Sequence, residues 1–322
     1  MPLLEDSDYV SPLFFSNGHL QSIYPTLFRK VTGIGYRRER IETSDADFLD
    51  LDWSEVTSDT LVIISHGLEG NSTRSYVLGM VRCMNRYGWD ALAWNFRGCS
   101  GEMNRKPQFY HSGATYDLHD VVKHVSSLNR YKQIYLIGFS MGGNITLKYL
   151  SDYVSDIPEE VKAAATFSVP CDLADSAIKI TDSAGGIYMK RFMNLLKHKV
   201  RQKAKAYPGS LSLEGLDQMN SFYEFDNAYT APLHGFKDAD DYWQKSSCKK
   251  YLTSISRPAL LVNALNDPFL TESCFPIEEA VRQPLLFLET PKYGGHVGFM
   301  RFHDSGTYWS EQRAVRFLKE FK

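Results

Sequence analysis

The chain is 322 residues long, with 43% hydrophobic and 23% charged side chains and a formal net charge of -2, a length that accommodates one large α/β domain or two small ones. Its balanced charge leaves no electrostatic footprint for nucleic acid and turns attention to small-molecule chemistry. Five scattered cysteines with no CxxC pair argue against a disulfide framework and a zinc site.

The acidic opening "MPLLEDSDYV" lacks the basic n-region and apolar h-region of a signal peptide. No run reaches the roughly 18 apolar residues of a membrane span. The expectation is a soluble, cytoplasmic protein without stable membrane insertion. Next, "YRRERIETSDADFLDLDWSE" alternates and turns near Ser44 to Asp47, which suits an antiparallel hairpin at a sheet edge. From Thr60 onward strand and helix patterns alternate: strand "TLVIISHG", helix "YVLGMVRCMNRYG", strand "DALAWNFRG", helix "YDLHDVVKHVSSLNRY", strand "QIYLIGFS", helix "MGGNITLKYLSDY" and strand "VKAAATFSVP". Strands joined by helices of this length predict parallel crossovers and a mostly parallel, doubly wound α/β sheet.

The rhythm stops between Asp172 and about Ser254, where helical, charge-dense and aromatic stretches replace strands. Strand patterns return at "PALLVNALNDP" and "PLLFLETPKYGGH", and "TYWSEQRAVRFLKEF" closes the chain as an amphipathic helix. The expected organisation is a core of residues 1–171 and 254–322, with residues 172–253 inserted as a helical cap before the late strands. The cap's Phe192, Phe222, Tyr223, Phe225, Tyr242 and Trp243 read either as the lining of an apolar pocket or as the cap's own core. Its basic run "KRFMNLLKHKVRQKAK" reads as a solvated helix face, with contact to anionic headgroups as the alternative.

The stretch "GFSMG" fits G-x-S-x-G, a sharp strand-to-helix turn that exposes a serine hydroxyl above the sheet, and it falls between a predicted strand and a predicted helix. Ser140 is therefore the candidate nucleophile; the plainer reading is a serine capping a helix. A serine hydroxyl needs a base to take its proton and an acid to orient that base, in the chain order serine, acid, histidine. Asp267, after "ALLVNALN", is the candidate acid, and His296, after "LLFLETPKYGG", the candidate base. Asp267 also reads as the opener of an Asp-Pro turn, and Asp172 is the rival acid. His119, His124, His198 and His303 read as surface or structural residues. Acyl transfer also needs two backbone N–H donors for the developing oxyanion. Met141, at the positive end of its helix, and Leu68, in the "HGLEG" loop after "TLVIIS", are the candidates, with His66 structural.

Together with "NGHLQSIYP", "NFRGCSGEMNR", "YHSGATYDL", "LNDPF" and "GGHVGF", these residues resemble the α/β-hydrolase superfamily, and within it the YheT-like hydrolases and their eukaryotic abhydrolase-domain relatives, over nearly the whole chain. The resemblance implies a serine hydrolase of carboxylic esters, with acylglycerols, phospholipids and acyl transfer from acyl-CoA to alcohols among relatives' substrates and reactions, and no metal or cofactor. The leading expectation is an ester hydrolase with a small-molecule ester substrate; the alternatives are acyl transfer to an alcohol and a catalytically silent binding module. Serine at position 140 argues against an epoxide hydrolase or dehalogenase, which need aspartate there. Arg97 reads as an anchor of its loop.

Overall fold

Continuous aliphatic runs make strands that are buried on both faces, and those runs form the middle of the sheet. The computed structural model describes residues 3–4, 6–302 and 306–322. Among the described residues the strands are β1 (Leu3–Leu4), β2 (Arg37–Glu42), β3 (Phe48–Ser54), β4 (Thr60–Ser65), β5 (Asp90–Asn95), β6 (Gln133–Phe139), β7 (Val161–Phe167), β8 (Ala259–Val262) and β9 (Leu286–Glu289). They form one sheet in the order β1-β9-β8-β7-β6-β4-β5-β3-β2. Pairing is parallel from β1 to β5, and β3 and β2 complete the sheet antiparallel, so "RRERIE" and "FLDLDWS" are the expected edge hairpin.

The helices are α1 (Gly18–Phe28), α2 (Ser75–Arg86), α3 (Thr115–Ser127), α4 (Met141–Asp152), α5 (Leu173–Asp182), α6 (Ile187–Ala206), α7 (Phe222–Phe225), α8 (Ala231–Leu233), α9 (Ala239–Ser246), α10 (Ile277–Arg282) and α11 (Trp309–Leu318). One face of the sheet packs on α3, α4 and α10 through Leu118, Val122, Ile145, Leu147 and Ala280. The other packs on α2 and α11 through Val77, Met80, Trp309 and Val315. The direction of winding reverses about β4, whose neighbours are β5 on one side and β6 on the other. In such sheets the crevice at the carboxyl ends of the strands flanking that reversal receives ligands.

Residues 172–254 carry no strand, and α5 to α9 form a third cluster around Met189, Met193, Val200, Phe225, Tyr229 and Trp243, joined by Phe109 and Phe269 from loops of the sheet domain. The basic run in α6 departs from the expected solvated face. Lys197, Lys199 and Lys203 are buried; Lys197 donates to the Asp217 carbonyl at 2.9 Å and Lys203 to Asn104 Oδ1 at 2.5 Å. Only part of that face meets water, because lysine stems cover apolar surface and their ammonium groups reach the loops beneath.

Strand β8 is shorter than the aliphatic run suggests. Past Val262 the Asn263 side chain takes over pairing on the β7 side: its Oδ1 accepts from the Val169 N–H at 2.7 Å, and its amide donates to the Val169 carbonyl at 3.0 Å, while its backbone N–H still donates to the Glu289 carbonyl. The chain leaves the sheet there and carries Asp267 on the loop beyond.

Candidate active site

Ser140 is the hinge between β6 and α4. Its backbone is at φ 53°, ψ −121°, a conformation that costs a non-glycine residue about 1–3 kcal/mol and persists only where the surroundings over-determine it. They do so here: the Ser140 N–H donates to the Phe167 carbonyl at 2.9 Å, and the Ser140 carbonyl accepts from Gly143 and Asn144 N–H. A Cβ on Gly138 would sit 2.5 Å from the Gly142 carbonyl oxygen, and one on Gly142 would sit 2.4 Å from the His66 carbonyl oxygen. The first glycine thus lets the turn close, while the second lets α4 start against the end of β4. Ser140 receives no side-chain capping bond to a helix amide from its own hydroxyl, which sets aside the plainer reading.

His296 Nε2 lies 3.0 Å from Ser140 Oγ, and His296 Nδ1 lies 2.9 Å and 3.1 Å from the two Asp267 oxygens. The three side chains come from loops after β6, β8 and β9. The Asp267 side chain is closed off from solvent and that of His296 is 12% exposed. Asp267 also opens the expected Asp-Pro turn, since its Oδ1 accepts from the Phe269 N–H at 2.9 Å. The rival, Asp172, caps α5 by accepting from Asp175 N–H and is not brought to the site. His119 and His124 lie on α3 beside Asp156 and Glu39, His198 is exposed on α6, and His303 lies outside the described residues. Arg97 is buried among Asp45, Asp47 and Asp117, as a loop anchor should be.

Leu68 and Met141 follow adjacent strands, whose ends are paired at Ser65 and Gly138. Neither backbone N–H has a hydrogen-bond partner among the described residues. His66 explains how the first is aimed. The Phe96 N–H donates to His66 Nε2 at 3.1 Å, so Nδ1 carries the proton and donates to the Gly67 carbonyl at 2.7 Å. Burial lowers the His66 pKa to about 3, which keeps this neutral tautomer at any working pH. In a trans peptide the C=O and N–H point oppositely, so with the Gly67 oxygen held by His66 the Leu68 N–H points away from that ring.

The next residue, Glu69, ties this loop to α6. Its Oε1 is 2.7 Å from Lys199 Nζ and accepts from the Tyr110 hydroxyl at 2.5 Å, and its carbonyl accepts from Arg74 at 2.7 Å. Sequence reasoning missed Glu69 and Lys199, as it missed Ser22 and Asn266. The Ser22 hydroxyl accepts from the His296 N–H at 2.8 Å. Asn266 accepts from the Gly295 N–H at 3.0 Å and donates to the Ser16 carbonyl at 2.9 Å, joining the loops of acid and base to the entry of α1. A Cβ on Gly18 would lie 1.9 Å from the Asn266 carbonyl oxygen. The motif "NGHLQS" was visible in the sequence, but nothing local in it signalled a partner some 250 positions away.

Two cavities meet at Ser140. The inner one, about 120 Å³, lies between the sheet domain and the helical insertion, with apolar walls from Leu173, Ile180, Phe192, Leu196, Phe225 and Trp243. The outer one, about 510 Å³, runs between α1 and α6 and includes Leu27, Ile187, Tyr188, Arg191 and His296. Leu68, Glu69, Phe192 and Phe269 border both. Of the insertion's aromatic residues, Phe192, Phe222, Phe225, Tyr242 and Trp243 serve as both lining and core, and Tyr223 is 49% exposed.

A doubly wound sheet with a strained serine at the reversal of its winding defines a class, and residues 60–300 match the family model described as "alpha/beta hydrolase fold": the chain belongs to that family, among its esterase- and lipase-type hydrolases. Its similarities narrow the kinship further. It is 34% identical to the YheT protein of Escherichia coli (strain K12) over 91% of this chain and 87% of that one. It is 30% identical to phospholipase ABHD3 of Mus musculus over 83% of this chain and 67% of that one. With the monoacylglycerol lipase of Saccharomyces cerevisiae it shares 30% identity over 81% of this chain and 59% of that one. Among solved structures, the esterase Pf2001 of Pyrococcus furiosus superposes with a TM-score of 0.62 at 19% identity, covering 91% of this chain and 96% of that one; at that identity the likeness speaks for the fold.

Proposed function

We propose that the protein hydrolyses carboxylic esters of short- to medium-chain acyl groups, acylglycerols included, through Ser140, His296 and Asp267. The observation that carries this reading is the unbroken contact from Asp267 through both nitrogens of His296 to Ser140 Oγ. Ser140 Oγ attacks the ester carbonyl as His296 Nε2 takes its proton; Asp267 holds the ring and stabilises the imidazolium. The carbonyl oxygen, now negative, receives the Leu68 and Met141 N–H groups. Collapse expels the alcohol, protonated by His296, and leaves an acyl-enzyme that water, activated in turn by His296, cleaves to the acid.

On this reading the acyl group occupies the inner cavity and the alcohol the outer cleft. Residues 172–253 act as a cap that supplies the inner cavity's far wall. The exposed rim of the outer cleft, Leu27 at 62% and Ile187 at 66%, admits water to the acyl-enzyme, which favours hydrolysis over transfer to an alcohol.

The test is turnover of p-nitrophenyl esters from acetate to laurate, with fluorophosphonate labelling alongside. Wild type labels and cleaves; Ser140→Ala does not label and loses about 10⁵-fold or more in kcat. Wild type that neither labels nor cleaves any of the series overturns the proposal.

A further inference from the structure

Two uncovered faces flank the mouth of the outer cleft. Helix α1, "GHLQSIYPTLF", has no Asp, Glu, Lys or Arg, yet it lies at the surface with Leu20, Leu27 and Phe28 at 50%, 62% and 62% exposure. The loop before it adds Leu13 and Phe14 at 80% and 84%. Phe15 of that loop packs on Tyr24, and Tyr24 on Phe28, with ring centroids 5.1 and 4.9 Å apart. Across the cleft α6 opens with the exposed Ile187. The two helices are fixed side by side, His19 Nδ1 lying 3.1 Å from the Tyr188 hydroxyl.

These faces form one surface. Ile23 borders both the cleft and a shallow groove formed with Leu20, Tyr24 and Phe28, while Ile187 and Arg191 border both the cleft and a second groove that includes Lys190. Contiguous apolar surface of this kind marks an interaction site. Its exposed charges at Lys30, Lys190 and Arg191 are positive, the twenty residues of α6 contain no Asp or Glu, and Glu69 in the cleft is paired with Lys199.

We infer that this face docks on an anionic lipid bilayer, so that the cleft draws its esters from the lipid surface. Apolar side chains set among cations match an interface of acyl chains and anionic headgroups. A protein seated here would cover the mouth through which Ser140 is reached, whereas a lipid surface brings substrate to it. The cleft's use of lipid esters rests on the ester-hydrolase reading; the docking itself does not.

The experiment is vesicle sedimentation with the full chain carrying Ser140→Ala, so that no lipid is consumed. It sediments with vesicles of phosphatidylglycerol and phosphatidylcholine, and at least about tenfold more weakly with phosphatidylcholine alone. Added to that chain, Phe14→Ser with Phe28→Ser, and separately Lys30→Glu with Lys190→Glu, each weaken binding to the mixed vesicles at least about tenfold. On the wild-type background both pairs cleave p-nitrophenyl acetate at the wild-type rate. Protein that stays in the supernatant with both vesicle types overturns the inference, as does unchanged binding by both pairs. A dimer in solution that both pairs split into monomers also overturns it, making the face a contact between copies. Vesicle binding by a wild type that cleaves no ester sustains the docking and removes the hydrolase reading instead.

Discussion

The Asp267 carboxylate faces two donors, the His296 ring and the Phe269 N–H, and this double duty allows its role to be isolated. Asp267→Asn keeps an oxygen for the Phe269 N–H, so the loop stays folded, but its amide N–H faces Nδ1 and selects the wrong tautomer. The expected result is a kcat lower by about 10⁴-fold with an unchanged melting temperature, read from ester kinetics and thermal melts; retention of a tenth of the rate would count against Asp267 as the acid. Asp267 and His296 were legible in the sequence because each follows a strand-like run in the order that triad geometry demands. Ser22 and Asn266 were not. A single polar residue that accepts one backbone N–H from a distant loop leaves no period or spacing to detect, and only the folded neighbourhood reveals it.

At the scale of elements, α6 does two jobs: one face packs the inner cavity through Leu196, and Lys199 reaches across to Glu69 in the loop that carries the Leu68 amide. The run of lysines suggested solvent because charge alone sets the sequence pattern, whereas burial depends on which loops lie beneath. Lys199→Met is expected to lower kcat about 10- to 100-fold by loosening that loop, and to cost about 3–5 kcal/mol by leaving the Glu69 carboxylate without its cation, with the Tyr110 hydroxyl as its remaining donor. Lys199→Met with Glu69→Gln regains stability in urea melts, since no lone charge remains, but not the rate. An unchanged kcat in the single variant would show that the contact does not hold the loop. The alternation of strands and helices from β4 to α4 was readable from period and breakers; β1, two leucines long, was not, because two residues are too few to carry a period.

For the molecule as a whole, the sheet's strand content was legible but its order was not, since order is decided by packing between elements far apart in sequence. Stability carries a trace of the helical insertion's burial. Burial raises the Asp226 carboxyl from an ordinary 3.8 to about 6, with hydrogen bonds from Thr230 and Trp243 opposing that rise. The folded protein therefore holds more protons than the unfolded chain between those values. The stability this provides is full below about pH 4 and is lost as pH rises through about 6. Asp226→Asn, which can still meet both neighbours, flattens that part of the stability profile. Near pH 7 it is expected to be more stable than wild type by up to about 3 kcal/mol, measured by denaturant melts across the window; an equal fall in both proteins would assign it elsewhere. On the proposed ester-hydrolase reading, the meeting of two unequal cavities at Ser140 also sets an itinerary for products. With the acyl group in the inner cavity, the alcohol is expected to leave by the outer cleft, while the acid forms among mostly buried side chains and is expected to leave past the serine. Carboxylates of matching chain length are then expected to compete with incoming ester, so that turnover slows as acid accumulates.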